Sequence, residues 1–171
     1  MNVKFLNPFV EAAYEVVQAE TGLAFTRGDL ILEKEAFRTD EVTVILSIIG
    51  RVEGTVFYSL TEKTAIGLAE RMMNEKFASF IELAQSGIAE LGNVITGRAS
   101  VKLSHNGYES TISTPTMLLG RGATISTLDF PRLVVPLNSE HGSLEIHLAL
   151  REGSQTRFNV TALPVVQRPV A

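Results

Sequence analysis

Glu90 and Asn93 are the residues whose types and spacing invite a chemical reading. A carboxylate carries charge and acceptor lone pairs, while a carboxamide three residues later offers both a donor and an acceptor and stays neutral. Both lie in SGIAELGNVITGRA, residues 86–99, a stretch that reads as helix. Successive helical residues turn by about 100°. Ile81, Ala84, Ile88, Leu91 and Ile95 then gather on one side, and Ser86, Glu90, Asn93 and Gly97 on nearly the opposite one. Glycine in a helix interior costs about 1 kcal/mol relative to alanine. Gly92 and Gly97 therefore point to something that approaches this helix closely. Taken alone, a Glu and an Asn one turn apart on an outward face describe ordinary solvated residues equally well, so the spacing is a weak signal.

Other chemistries find little support. The chain has no cysteine, which excludes a disulfide framework, a thiolate zinc site and a cysteine nucleophile. His105, His141 and His147 are isolated and read as surface histidines, His141 in the turn-like NSEHG and His147 on the solvated side of a strand. The GRG at 120–122 lacks P-loop spacing and reads as a hairpin turn. A net charge of −4 argues against nucleic acid as the main partner, since binding phosphates needs a concentrated basic surface. No window approaches eighteen uninterrupted apolar residues, so no membrane span is expected. At the start, Glu11 and Glu15 interrupt any signal-peptide core, and the reading is a mature cytoplasmic N-terminus.

The elements that must position the pair are legible in outline. A chain of 171 residues, 45% apolar and 20% charged, fits one globular domain or one domain with a tail. Asn7 can cap a first helix, Pro8 suits its first position, Gly22 can close it, and Phe9, Ala13, Val16 and Val17 form its stripe. DLILEKEAF, EVTVILSIIG and VEGTVFYSL then read as a meander of antiparallel strands. Thr61 can cap a second helix carrying Ala65, Ile66, Ala69, Met72 and Met73. Ser79 and Glu82 have capping-box spacing for a third helix running to about residue 103. YESTIST, ATISTLD, RLVVPLN and GSLEIHLAL form a second β block. In its last member Leu144, Ile146, Leu148 and Leu150 face one way, with Ser143, Glu145 and His147 on a solvated face. The pattern implies an α/β fold of the α+β type, a mainly antiparallel sheet packed against long helices. The domain spans 1–151, and 152–171 reads as a flexible tail, with docking of the tail as the alternative.

SGIAELGNVITGRA also resembles the signature helix of the CheC/CheX/FliY family of chemotaxis phosphatases, whose pattern is Asp or Ser, three residues, Glu, two residues, Asn. Ser86, Glu90 and Asn93 match it, and the order of elements is similar over roughly residues 1–150. CheC-like members carry the motif twice, but here EAAY puts Tyr14 where the first helix would need its asparagine. A single motif on the long central helix is the CheX arrangement. The family's downstream proline is displaced by one position, at Pro115.

The resemblance implies a substrate, the aspartyl phosphate of a CheY-like response-regulator receiver. It further implies that Asn93 places the attacking water and that Glu90 pairs with the receiver's lysine. Ser86 would add a rim contact, and Gly92 and Gly97 would let the helix backbone approach the receiver. No cofactor is expected in this chain, with Mg²⁺ supplied by the receiver, and a homodimer is implied. The alternatives are a docking module of the same fold that binds a receiver or flagellar switch component without hydrolysis, and an unrelated structural domain. The intact Glu90 and Asn93 favour the phosphatase, because a docking surface alone has no need of a water-placing amide.

Overall fold

Two nine-residue runs rich in β-branched residues, β4 (Val42–Gly50) and β5 (Val52–Leu60), pair antiparallel at the centre of the sheet, with Val44 opposite Tyr58. The computed structural model describes residues 3–127 and 130–153. β10 (Gly142–Glu152) lies on the other side of β5, and β9 (Arg132–Ser139) lies beyond it. β6 (Ser110–Ile112) and β7 (Thr116–Leu119) both pair with β4. At the far edge β1 (Thr26–Arg27) and β2 (Ile31–Glu33) both pair with β9. All these pairings are antiparallel, in agreement with the expected α+β architecture.

Three helices, α1 (Val3–Thr21), α2 (Glu62–Met73) and α3 (Glu82–His105), contribute to one core with alternate residues of the strands. Val44, Leu46 and Ile48 of β4, Val56, Tyr58 and Leu60 of β5, and Leu144, Ile146, Leu148 and Leu150 of β10 all point into it. Each aliphatic side chain so buried contributes about 1.5–3 kcal/mol.

The helix signals hold in part. Gly22, at φ 70°, closes α1 and its N–H donates to Gln18 O at 2.9 Å. The helix does not start at Asn7 and Pro8, however, but runs back to Val3 with Pro8 inside it. Proline there removes one backbone donor, and the burial of Phe5 and Leu6 in the core holds the preceding turn helical regardless. Thr61 caps α2 as expected, its Oγ1 accepting from Thr64 N–H at 3.2 Å. The capping box at Ser79 does not form. Phe77 and Phe80 are buried and turn the chain, so α3 begins at Glu82 with Ile81 at its cap position and no side-chain cap.

The first apolar run departs most from expectation. DLILEKEAF does not lead a sequential meander, because β2 lies at the far edge of the sheet from β7. Phe37–Arg38 (β3) then pairs with Thr124–Ile125 (β8) as a separate two-stranded ribbon. Phe37 packs on the outer sheet face, its ring 4.8 Å from that of Phe57 and 4.6 Å from His147. His147 is consequently 4% exposed, not solvated as its alternation implied. Beside it Arg132 is buried, bonded to the Glu33 carboxylate and the Glu35 carbonyl. Most of the tail expected from 152 onward lies outside the described residues; Glu152 ends β10, and Gly153 N–H donates to Arg51 O.

An ionic clamp joins α1 to α3. Lys102 Nζ donates to Glu15 Oε1 at 2.8 Å and to Glu11 Oε2 at 3.2 Å, and Arg98 lies 3.5 Å from Glu15. The Lys102 hydrogen bond holds the Glu15 carboxyl below its ordinary value of 4.5, and the same bond holds Lys102 above its ordinary 10.5. The depressed carboxyl contributes stability above its ordinary value and loses it as pH falls through the folded one. The raised ammonium contributes below its ordinary value and loses that as pH rises through the folded one. Glu15→Gln is therefore expected to lower Tm at pH 7, and thermal melts should show the gap narrowing as the pH falls below the ordinary carboxylate range.

Candidate active site

The sequence of α3 divides it into two faces, and the structure seats them accordingly. Ala84, Ile88, Leu91, Ile95, Ala99 and Leu103 are buried against the core. Ile81, expected in that stripe, stands at the cap and is half exposed. On the opposite ridge Ser86 and Glu90 are exposed, while Asn93 and Gly97 are half-buried. Asn93 Nδ2 donates to Glu90 Oε2 at 3.3 Å, so the two side chains meet across one helical turn. This bond uses one donor of the Asn93 amide and one of the two Glu90 carboxylate oxygens.

What sets the height of this ridge is Gly92, and here the structure corrects the sequence reading. Gly92 does not lie on the outward face. A Cβ at this position would stand 3.1 Å from Tyr58 Cδ2 and 3.2 Å from Val44 Cγ1, so its bare backbone is pressed on the sheet. Two residues past Glu90 is about 200° around the axis, which already points Gly92 inward. Gly97 does lie on the ridge, where an added Cβ would make an ordinary 3.7 Å contact with Ile112.

Two residues that sequence reasoning passed over lock the seat. Thr96 Oγ1 donates to Gly92 O at 2.7 Å, so it must accept from Tyr58 OH, also at 2.7 Å. Burial pushes the Tyr58 phenol above its ordinary range, which keeps it protonated and donating. The available signal was Thr96 itself, a polar residue among the apolar positions Leu91, Ile95 and Ala99.

The ridge is not a cleft. A cavity of about 860 Å³ opens on the other side of the sheet, lined by Phe37, Ser59, Arg132, Glu145 and His147 among others, and includes no residue of α3. Among the described residues no three His, Asp or Glu side chains are grouped to hold a metal ion. None of the described helices is long and apolar enough to cross a membrane. On α1, Tyr14 packs partly into the core and Glu11 is held by Lys102. An exposed carboxylate beside a half-buried carboxamide, on a helix ridge outside any cleft, suits a reaction in which the electrophile arrives on another macromolecule.

The chain is similar to known proteins in sequence and fold. The family model described as chemotaxis phosphatase CheX matches residues 42–138, more than half of the chain and all of α3. The CheY-P phosphatase CheX of Thermotoga maritima is 27% identical over 155 residues, covering 90% of this chain and 99% of that protein. A CheC-like superfamily protein from Shewanella sp. PV-4 superposes with a TM-score of 0.80 at 27% identity, covering 88% of this chain and 99% of that one. A chain from the CheX–CheY–BeF3–Mg²⁺ complex of Borrelia burgdorferi gives a TM-score of 0.77 at 25% identity, covering 88% and 100%.

The two helix glycines should respond oppositely to alanine. Gly97→Ala gains about 0.5–1 kcal/mol of helix propensity with no clash. At Gly92 the same gain of about 1 kcal/mol competes with overpacking that costs about 1–3 kcal/mol, because Val44 is buried and Tyr58 is hydrogen-bonded. Urea unfolding is expected to rank Gly97→Ala above wild type and Gly92→Ala below it; the reverse order would show that α3 is not seated on Gly92.

Proposed function

Because this chain belongs to the CheX family of chemotaxis phosphatases, we propose that it hydrolyses the aspartyl phosphate of a CheY-like receiver domain with the outer ridge of α3. The observation that carries the reading is the Asn93–Glu90 hydrogen bond, which brings the carboxamide and the carboxylate together on the outer side of α3.

An acyl phosphate is already activated, so catalysis reduces to holding a water in line with phosphorus. Asn93 Oδ1 accepts a hydrogen bond from that water and aims its lone pair at phosphorus. The water oxygen bonds to phosphorus, the bond from phosphorus to the receiver's carboxylate oxygen breaks, and the water proton leaves to phosphate or solvent. The products are inorganic phosphate and the free aspartate, and no covalent intermediate forms on this chain. Glu90 takes the receiver's lysine on its second oxygen; such a charge-assisted bond contributes about 1.5–3 kcal/mol. Ser86, one turn earlier, adds a rim contact, and Gly97 keeps the ridge low where the receiver closes on it. Mg²⁺ belongs to the receiver. A cytoplasmic homodimer completes the proposal.

Asn93→Ala is expected to abolish accelerated dephosphorylation while docking persists, as read by phosphate lifetime on the receiver and by binding in parallel. Retained activity would remove the water-placing role from Asn93; a wild-type protein that binds the receiver without shortening its phosphate lifetime would be a docking module. Glu90→Lys should weaken receiver binding by about tenfold or more through like-charge opposition, measured by titration calorimetry; unchanged affinity would remove the anchor.

A further inference from the structure

We infer that Leu83 and Val101 of α3 form an apolar bracket around the Glu90–Asn93 pair, and that its occupant is the receiver domain itself, docked through an apolar rim around its phosphorylated carboxylate. The inference rests on the reading of α3 as the receiver-facing helix. Leu83 precedes Glu90 by seven residues and Val101 follows it by eleven. Both therefore project within about 20° of Glu90 around the axis. They are 49% and 53% exposed, on a face that would be polar if it met only solvent.

The spacing fits one docked domain. At about 1.5 Å rise per residue, Leu83 and Val101 stand about 13 and 14 Å from the midpoint of the polar pair, on opposite sides. A standard interface buries about 800 Å² per partner, a disc of about 16 Å radius, which takes in both. The lateral margin continues the pattern. Leu119 of β7, 52% exposed, sits opposite Val42, two pairs along from Met117 opposite Val44, one of the residues on which Gly92 rests. A carboxylate and a carboxamide give direction and chemistry, but both are strongly hydrated in the free protein. Affinity in such a footprint comes from apolar contacts that exclude water around them.

The test uses the full chain and a receiver whose dephosphorylation it accelerates. Kd is measured with that receiver carrying beryllofluoride and Mg²⁺, and KM and kcat with its phosphorylated form. Leu83→Asp and Val101→Asp are each expected to raise Kd and KM by about tenfold or more, with a change in kcat below about twofold. Ile49→Asp, on the outer face at the end of β4 and 65% exposed, should match wild type. Leu83→Ser provides a milder substitution, expected to raise Kd by about threefold or more, and urea midpoints confirm that each variant is folded. Wild-type Kd in both aspartate variants would overturn the bracket, and loss of turnover in Asn93→Ala alongside would leave the water-placing reading standing. If light scattering instead shows that these substitutions dissociate a dimer while receiver affinity holds, the face joins two copies and the inference is overturned. A wild-type protein that neither binds nor dephosphorylates any CheY-type receiver would remove the phosphatase reading and the bracket with it.

Discussion

The contact between the bare backbone of Gly92 and the side chains of Tyr58 and Val44 determines where every residue on the ridge of α3 stands. Tyr58 lies on β5, a strand paired on both sides, and its hydroxyl reaches Thr96, which in turn holds the Gly92 carbonyl. Displacing α3 would leave a buried phenol without its partner, at a cost of about 1–3 kcal/mol. A slip by one residue would also turn the ridge by about 100° and bring side chains where the seat has room for none. The register of Asn93 and Glu90 is thus decided on the far side of the helix from the ridge that carries them.

That separation explains which parts were legible in the sequence. The 3.6-residue period placed Ser86, Glu90 and Asn93 on one face, and local signals such as Thr61 and Gly22 act within a turn, so they survived folding unchanged. Gly92 was misread because a glycine carries no hydrophobicity to mark its side. Only its position, two residues beyond Glu90, reveals that it faces the sheet. Pro8 and Ser79 failed for another reason: their local preferences amount to a few kcal/mol at most, and the burial of Phe5, Leu6, Phe77 and Phe80 outweighs them. His147 alternates like a solvated residue and is one until a ribbon from elsewhere in the chain lays Phe37 over it, which no window of sequence around His147 contains.

The sparse chemistry of the ridge follows from the substrate proposed for it. A phosphorylated carboxylate releases phosphate readily, so the protein need supply neither nucleophile nor metal, only a donor–acceptor group held in the right place. An amide on a long helix satisfies that with two polar side chains, and a helix can enter a partner's recess where a pocketed enzyme could not. The cavity on the other face of the sheet lies under the β2–β3 segment, where Arg132 bonds to the Glu35 carbonyl and His147 meets Phe37, and no residue of α3 lines it.

Pinning Tyr58 in the middle of the sheet has a kinetic side as well. If α3 is the receiver-facing helix, rocking it on its support would disturb β5 and the two strands paired with it, so the molecule would act as a stiff key and the fitting motion would fall to the lock. Differences in turnover from one receiver to another would then report the mobility of their own loops, with the catalyst as a fixed gauge against which that mobility is read.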